Sequence, residues 1–431
     1  MNLPGVSTNS GADNTAAGYH ALFPNTDGQS NTALGSNALS SNADGSYNTA
    51  LGGHALYSNN GDFNTATGEE ALYFNTYGGA NTATGAFALQ YNTTGSGNTA
   101  SGVTALFANT TGNGNTASGG DALQYNTTGN NNTASGLDAL RFNTTANGNT
   151  ATGYRALTAN TTGASNAAFG DGALQYNVLG TENTASGAFS LYSNTSGNYN
   201  VASGFEALFA NTTASNNTAS GFRALYFTTT GADNTAIGYR ALLSNTTGLN
   251  NIAIGANAGY AVTGSNNIDI GSTGSAGESG VIRIGGASQT AVHIAGITST
   301  HLTGSAVYVS ASGQLGVLAS SERYKTEIAS MGGSTQKLHE LRPVSFHLKS
   351  DPKGAVQYGL IAEEVNKVFP ELVIRDDAGT IQGVRYDELA PMLLNEVQQQ
   401  AAEIRDLKKL VVEMQAGLLK LQAKEELLAQ R

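Results

Sequence analysis

Small apolar residues return along residues 14–270 on a fixed beat, inside the unit N-T-A-x-G-x-x-A-L-x-x-N-T-T-G-x-x. The leading Asn falls at 14, 31, 48, 64, 81, 98, 115, 132, 149, 166, 183, 200, 217, 234, 251 and 267, in thirteen steps of 17 residues and two of 16. A short fixed period of this kind marks a solenoid, in which each unit stacks only on its neighbours. The unit is too short for a helix–turn–helix repeat and has the length of one coil of a β-solenoid or β-roll. "NTAxG" predicts one short extended segment and "ALxxNT" a second. "TGxx" supplies the turn, because Gly tolerates positive φ and Asn and Thr bond their own backbone. Ala at position 3 and Ala-Leu at positions 8 and 9 are the expected interior. Asn at one place in every coil predicts a ladder of amide hydrogen bonds along the stack. At about 4.8 Å per coil, the sixteen coils make a rod on the order of 75 Å long.

Two Ala and one Leu per coil give a narrow core, which predicts lateral association of several chains. Positions 10 and 11 are often aromatic: Phe23, Tyr57, Tyr73, Phe74, Tyr91, Phe107, Tyr125, Phe142, Tyr176, Tyr192, Phe209, Tyr226 and Phe227. They predict a stripe down the rod. It serves either packing between chains or, around Tyr91, Tyr125 and Tyr176, stacking on sugars.

After residue 270 the pattern changes. "GVIRIGGASQTAVHIAGITST" alternates apolar and polar positions, which predicts short strands closing the rod. Residues 320–389 predict a small α+β unit: a helix near "TQKLHEL", a strand ending near Lys349, a helix around Ala362–Val368 and a hairpin turning at Asp377–Gly379. From Ala390 a helical tail runs to Arg431. Its heptad a positions are Val397, Ile404, Val411, Leu418 and Glu425, and its d positions Gln400, Leu407, Met414, Leu421 and Leu428. Eight of these ten are apolar, which predicts a coiled coil. β-Branched a residues with Leu at d favour parallel dimers, so the heptads alone do not specify a trimer. The chain thus reads as an N-terminal segment (1–13), a repeat shaft (14–270), a β-rich neck (271–319), an α+β domain (320–389) and a coiled-coil helix (390–431).

Charge sharpens the boundary at 319. Residues 1–319 hold five Arg, no Lys and 14 Asp or Glu, whereas the last 112 residues hold 15 Lys or Arg against 17 Asp or Glu. A chain of net charge −11 without basic clusters is not expected to bind nucleic acid or an anionic membrane surface. Cysteine is absent, so disulfides contribute nothing. No secretory signal is legible at "MNLPGVSTNSGADN", and no stretch has the length of a membrane span. His20, His54, His293, His301, His339 and His347 show no metal-ligand spacing along the chain, and neither metal nor cofactor is expected.

The first lysine of the chain is Lys325, five residues after Ser320 and at the same boundary. A serine hydroxyl attacks a peptide carbonyl only when a base takes its proton. Free lysine titrates near 10.4, so presenting it neutral at pH 7 costs about 4.6 kcal/mol. Burial shifts lysine by about 3–5 pH units, enough to meet that cost. A lysine buried on folding would therefore act as a base only after folding.

Two resemblances follow from these segments. The repeats, most closely "NIAIGANAG" at 251–259, resemble the head repeats of trimeric autotransporter adhesins and the shafts of some phage tail fibres. "SSERYKTEI", "LRPVSFHLK", "QYGLIAEEV", "FPELV" and "GVRYDEL", in that order, resemble the C-terminal intramolecular chaperone domain of phage tailspikes, endosialidases and long tail fibres. That resemblance implies a domain that trimerises, assists folding of a β-helical fibre and then cuts itself off. It implies Ser320 as nucleophile, Lys325 as its partner, and cleavage between Ala319 and Ser320. Ser321 stands where many members carry an acidic residue. The whole then reads as a homotrimeric fibre of a phage or phage-like particle, virion-borne or extracellular, that binds a host-surface glycan or other receptor and docks through its N-terminus. The alternatives are a bacterial surface adhesin of the same modules, and an ice- or glycan-binding solenoid using its Thr rows.

Overall fold

The computed structural model describes residues 11–289, 292–294, 306–309, 314–317, 320–376 and 378–429. The chain divides into two compact units, Met1–His293 and Ile294–Arg431.

The first unit is a β-solenoid. Seventeen strands of three residues, β1 (Thr15–Ala17) to β17 (Ile282–Ile284), pair in parallel in one continuous sheet. Register runs from each coil to the same position of the next, as in Thr99↔Thr116 and Ala100↔Ala117. From β2 to β16 the central residue of the strand points inward: Ala33, Ala50, Ala100 and Ala185 are fully buried, as are Ala105 and Leu106 from the other side of their coil. Leu39, Leu56 and their equivalents join these alanines in one unbroken core. That core closes within a single chain. Shortage of buried apolar surface therefore does not by itself require lateral partners. Beyond residue 270, β17 extends the same sheet to Ile284.

Each coil holds one strand, not the two expected from its pattern. "ALxxNT" is an arc of left-handed turns. Position 9 leucines from Leu22 to Leu242 have φ between 49° and 55°, and position 7 residues such as His54, Thr104 and Asp138 are also left-handed. The left-handed region costs an L-residue roughly 1–2 kcal/mol, but burying a leucine returns roughly 1.5–3 kcal/mol. The arc also satisfies its backbone: Leu89 N–H donates to Ala105 O at 3.0 Å and Leu106 N–H to Ala122 O at 2.9 Å, each in the next coil. Gly at position 5 is required by φ near 135° and by contact with the next coil; a Cβ on Gly102 would collide with Gly119 O.

Asparagine forms two buried ladders. At position 1, Asn98 Oδ1 accepts from Asn115 N–H at 2.9 Å, while Asn98 Nδ2 donates to Gly112 O at 2.9 Å. At position 12, Asn109 Nδ2 donates to Asn92 Oδ1 and Asn126 Nδ2 to Asn109 Oδ1, both at 2.8 Å. The first short step is absorbed in the turn, where Asn59 reaches Gly61 two residues on and Asn42 reaches Gly45 three residues on. Strand register survives it, with Thr49 opposite Thr65.

The position 12 ladder breaks at Thr228 and at Val262, and the Oδ1 atoms of Asn211 and Asn245 just before those breaks are buried without a partner. An orphaned buried acceptor costs about 1–3 kcal/mol. Asn126→Ala, which would orphan Asn109 Oδ1, is therefore expected to destabilise the shaft by about that amount. Thr228→Asn, which supplies a donor to Asn211 Oδ1, is expected to raise its melting temperature, less the loss of the Thr228 Oγ1 bond to Asn245 O. Equal thermal unfolding of both variants and the parent would show that the ladder carries no stability.

The second unit is small and mixed. β18 (Tyr308–Val309) pairs with β19 (Leu315–Gly316). A 3-10 turn spans Glu322–Tyr324 and a longer one Gly332–Glu340. β20 (Val344–Phe346) pairs antiparallel with β21 (Gln357–Gly359), and β22 (Val373–Arg375) with β23 (Ile381–Val384). α1 (Ala362–Val368) falls where the sequence places it, and α2 runs from Tyr386 to Ala429, starting before Ala390. Asp377, in the expected hairpin turn, lies outside the described residues. Val365, Phe369, Leu372, Val373 and Val384 form the core. The expected helix near "TQKLHEL" is 3-10 rather than α.

Candidate auto-processing site

Ser320 and Lys325 flank one tight turn. Tyr324 N–H donates to Ser321 O and Lys325 N–H to Glu322 O, each at 3.0 Å. That turn folds the Lys325 side chain back, and its Nζ donates to Ser320 Oγ at 3.3 Å. Base catalysis needs the reverse, with the Ser320 hydroxyl donating to an unprotonated Nζ. Ala319 lies outside the described residues.

Burial of Lys325 on folding is not what a single chain provides. Residues 320–334 are exposed throughout, because this segment precedes the core rather than joining it. Arg323 stacks over the Tyr324 ring at 5.0 Å. Neutralising the lysine therefore requires something to cover this segment.

The sequence motifs meet in the unit behind it. Arg342 of "LRPVSF" clamps Glu364 of "AEEV" with two hydrogen bonds, at 2.6 and 3.2 Å. Hydrogen bonding to that guanidinium holds the Glu364 carboxyl below its ordinary titration range. Leu360 N–H donates to Tyr386 Oη at 2.7 Å, joining "YGLIAEEV" to "GVRYDEL". Arg375 donates to Asn366 Oδ1 at 2.7 Å. A link absent from the sequence reading runs from α2 to the Gly332–Glu340 turn. There Asn395 Nδ2 donates to Thr335 Oγ1 at 2.6 Å and Thr335 Oγ1 to Glu396 Oε2 at 3.2 Å. These partners stand about sixty residues apart, beyond the reach of local pattern.

The aromatic stripe is present as three stacked runs. Tyr57–Tyr73 and Phe74–Tyr91 have ring centroids 4.8 and 5.2 Å apart, Tyr125–Phe142 5.4 Å, and Tyr192–Phe209 and Phe209–Tyr226 5.1 and 5.2 Å. Tyr91, Tyr125 and Tyr176 are each between 41% and 47% exposed. A second run, Phe205–Phe222–Tyr239, stacks at 5.7 and 5.5 Å. It occupies position 6 of its coils, where most units carry no aromatic residue, and its signal was three aromatics exactly one period apart in register.

Residues 320–374 match the family model described as chaperone of endosialidase, so the C-terminal part of the chain carries a domain of that family. No curated protein and no solved structure matches the chain. No helix among the described residues is long and apolar enough to cross a membrane.

Proposed function

We propose that the chain is one subunit of a homotrimeric fibre of a phage or phage-like particle, acting at a host cell surface. In this reading its C-terminal unit guides assembly of the shaft and then releases itself between Ala319 and Ser320. The observation that carries it is the chaperone-of-endosialidase match, which begins on Ser320, the residue that receives the Lys325 hydrogen bond. Association is supported by apolar surface that one chain leaves in water. The a and d residues Ile404, Leu407, Val411 and Met414 of α2 are all at least half exposed. An apolar cleft of about 600 Å³ opens between Leu338, Leu341, Pro343, Leu360, Tyr386 and Leu393. Contiguous exposed apolar surface of this kind marks an interface. The test is the apparent mass of the unboiled protein on a denaturing gel, three chains being expected and one chain refuting the assembly.

The shaft suits a neutral ligand. It has half-exposed aromatic rings, and its sheet turns rows of Thr82, Thr99 and Thr116 and of Thr84, Ser101 and Ser118 outward, with hydroxyls that make no hydrogen bond within the chain. These groups stack on and hydrogen-bond to sugars, and no basic face is present to hold polyanions. The hydroxyl rows also favour a second reading, a solenoid whose sheet face itself binds glycan or ice. Replacing Tyr91, Tyr125 and Tyr176 with Ala is expected to abolish adhesion to host-cell glycans while the trimer persists. Binding of the parent is expected to change little between about 50 and 300 mM salt. If the triple variant instead loses the trimer and retains binding, the stripe is an interface and not a receptor site.

A further inference from the structure

Solenoid stacking assembles a group of side chains that no linear spacing reveals. His54 is at position 7 of its coil, and Glu69 and Glu70 are at positions 6 and 7 of the next. The intervening step is one of the two short ones, so His54 and Glu70, sixteen residues apart, occupy equivalent places in adjacent coils. The ligand atoms of all three lie within 4.8 Å of one another. We infer that His54, Glu69 and Glu70 form a binding site for a divalent transition metal, with Zn²⁺ the best-matched ion.

Four observations carry this. First, His54 Nδ1 lies 3.5 Å from Glu69 Oε1. A tetrahedral Zn²⁺ with bonds of about 2.0–2.2 Å holds its donors about 3.3–3.6 Å apart. Second, Nδ1 is buried and makes no hydrogen bond. Nε2 lies 3.2 Å from Asn37 Nδ2; ligation through Nδ1 puts the ring proton on Nε2, so metal binding requires the Asn37 amide to turn its oxygen to Nε2. Third, residue 53 is Gly, and a Cβ there would collide with Glu69 Oε2. Its absence makes the cradle into which the carboxylate folds. Fourth, the two carboxylates have no cationic partner nearby along the stack, since Arg141 is the first Lys or Arg in the chain.

The surroundings fit the same purpose. Gln90, one coil further on, donates to Glu70 Oε2 and so orients that carboxylate from outside, as outer groups do at metal sites. The Tyr57 and Tyr73 rings flank His54 at 5.9 and 6.0 Å. Glu69 is about half exposed, which leaves an open approach and room for water to complete the coordination. One imidazole with two carboxylates selects Zn²⁺ and its neighbours in the transition series over Ca²⁺ and Mg²⁺, which take oxygen ligands. A bound ion would tie together two coils where the stack shortens by one residue.

The experiment uses full-length protein stripped with a chelator and titrated calorimetrically with zinc chloride, with thermal unfolding measured in parallel. One Zn²⁺ per chain and a higher melting temperature are expected. His54→Ala, Glu69→Gln and Glu70→Gln are each expected to weaken binding by more than about tenfold and to remove the zinc-dependent rise in melting temperature. Replacement of Zn²⁺ by Co²⁺ is expected to give visible absorption bands that His54→Ala eliminates. The glutamine changes preserve size and sit at the surface, so they report on ligation even if His54→Ala fails to fold. Zinc binding of equal strength in the parent and the Glu69→Gln and Glu70→Gln proteins, or no binding to the parent, overturns the site. In the first case the ion sits on other histidines.

Discussion

Freshly purified full-length protein is expected to run on a denaturing gel as two fragments, one ending at Ala319 and one beginning at Ser320. Ser320→Ala is expected to leave a single full-length band. In the proposed step, Lys325 Nζ takes the hydroxyl proton and Ser320 Oγ adds to the Ala319 carbonyl carbon. The bond from that carbon to the Ser320 nitrogen breaks as Nζ passes the proton to that nitrogen, leaving an ester and a free α-amine. One water then hydrolyses the ester to a carboxylate at Ala319 and restores the serine hydroxyl. Loss of a general base costs about 10²–10⁴ in rate, so Lys325→Ala is expected to stay uncut over the time in which the parent is fully processed. Lys325→Arg separates base from charge: it keeps the cation but cannot be deprotonated, and it is expected to be equally inert. The exposure of Ser320 and Lys325 in one chain adds a condition. If neighbouring subunits supply the cover that neutralises the lysine, then Ile404→Asp with Val411→Asp in α2 is expected to prevent both assembly and cleavage with the dyad intact. Mass spectrometry of the fragments checks the cut site. Alanine variants cut as fast as the parent would assign the cleavage to a contaminating protease.

The dyad and the solenoid were legible in sequence for different reasons. The period is legible because each coil repeats its neighbour's contacts, so Ala100, Ala117 and Ala134 must recur at the same interval to meet in one core. The shape of the arc is not, because a leucine at φ near 52° contradicts its local preference and is held there by burial and by its backbone bond to the next coil. Pattern reading sees the apolar pair and assigns a strand, whereas the inward turn comes from the whole coil. Ser320 and Lys325 stand close enough for a single turn to join them, but that spacing is common by chance, and it was their place at the composition boundary and the resemblance to the chaperone domain that picked them out. Their exposure was not foreseeable, since burial depends on groups distant in sequence. Thr335, Asn395 and Glu396 fail to show for the same reason. His54, Glu69 and Glu70 become visible only when positions are counted modulo the coil, including its one-residue shortening.

Expression of residues 1–319 without the C-terminal unit is expected to give aggregated shaft, whereas the same shaft left after cleavage is expected to stay soluble. The reasoning starts from the sheet. Every strand from β1 to β17 bonds only to the strands before and after it. A partly built stack therefore always ends in an open strand edge and an uncovered layer of Ala and Leu. Such edges pair with any similar edge, and near-identical coils offer many wrong registers. Slippage by one whole coil leaves the Ala, Leu and Asn rows matched, so the core itself discriminates poorly against it. A C-terminal unit that aligns three chains before their coils stack would suppress such errors, and it would be dispensable once the stack is complete. Removal after folding then changes little, because Asn ladders and inter-coil backbone bonds persist without it. The measurement is the soluble fraction and sedimentation of 1–319 made alone, compared with the processed fragment. Soluble, trimeric shaft obtained without residues 320–431 would refute the chaperone role while leaving the cleavage chemistry untouched.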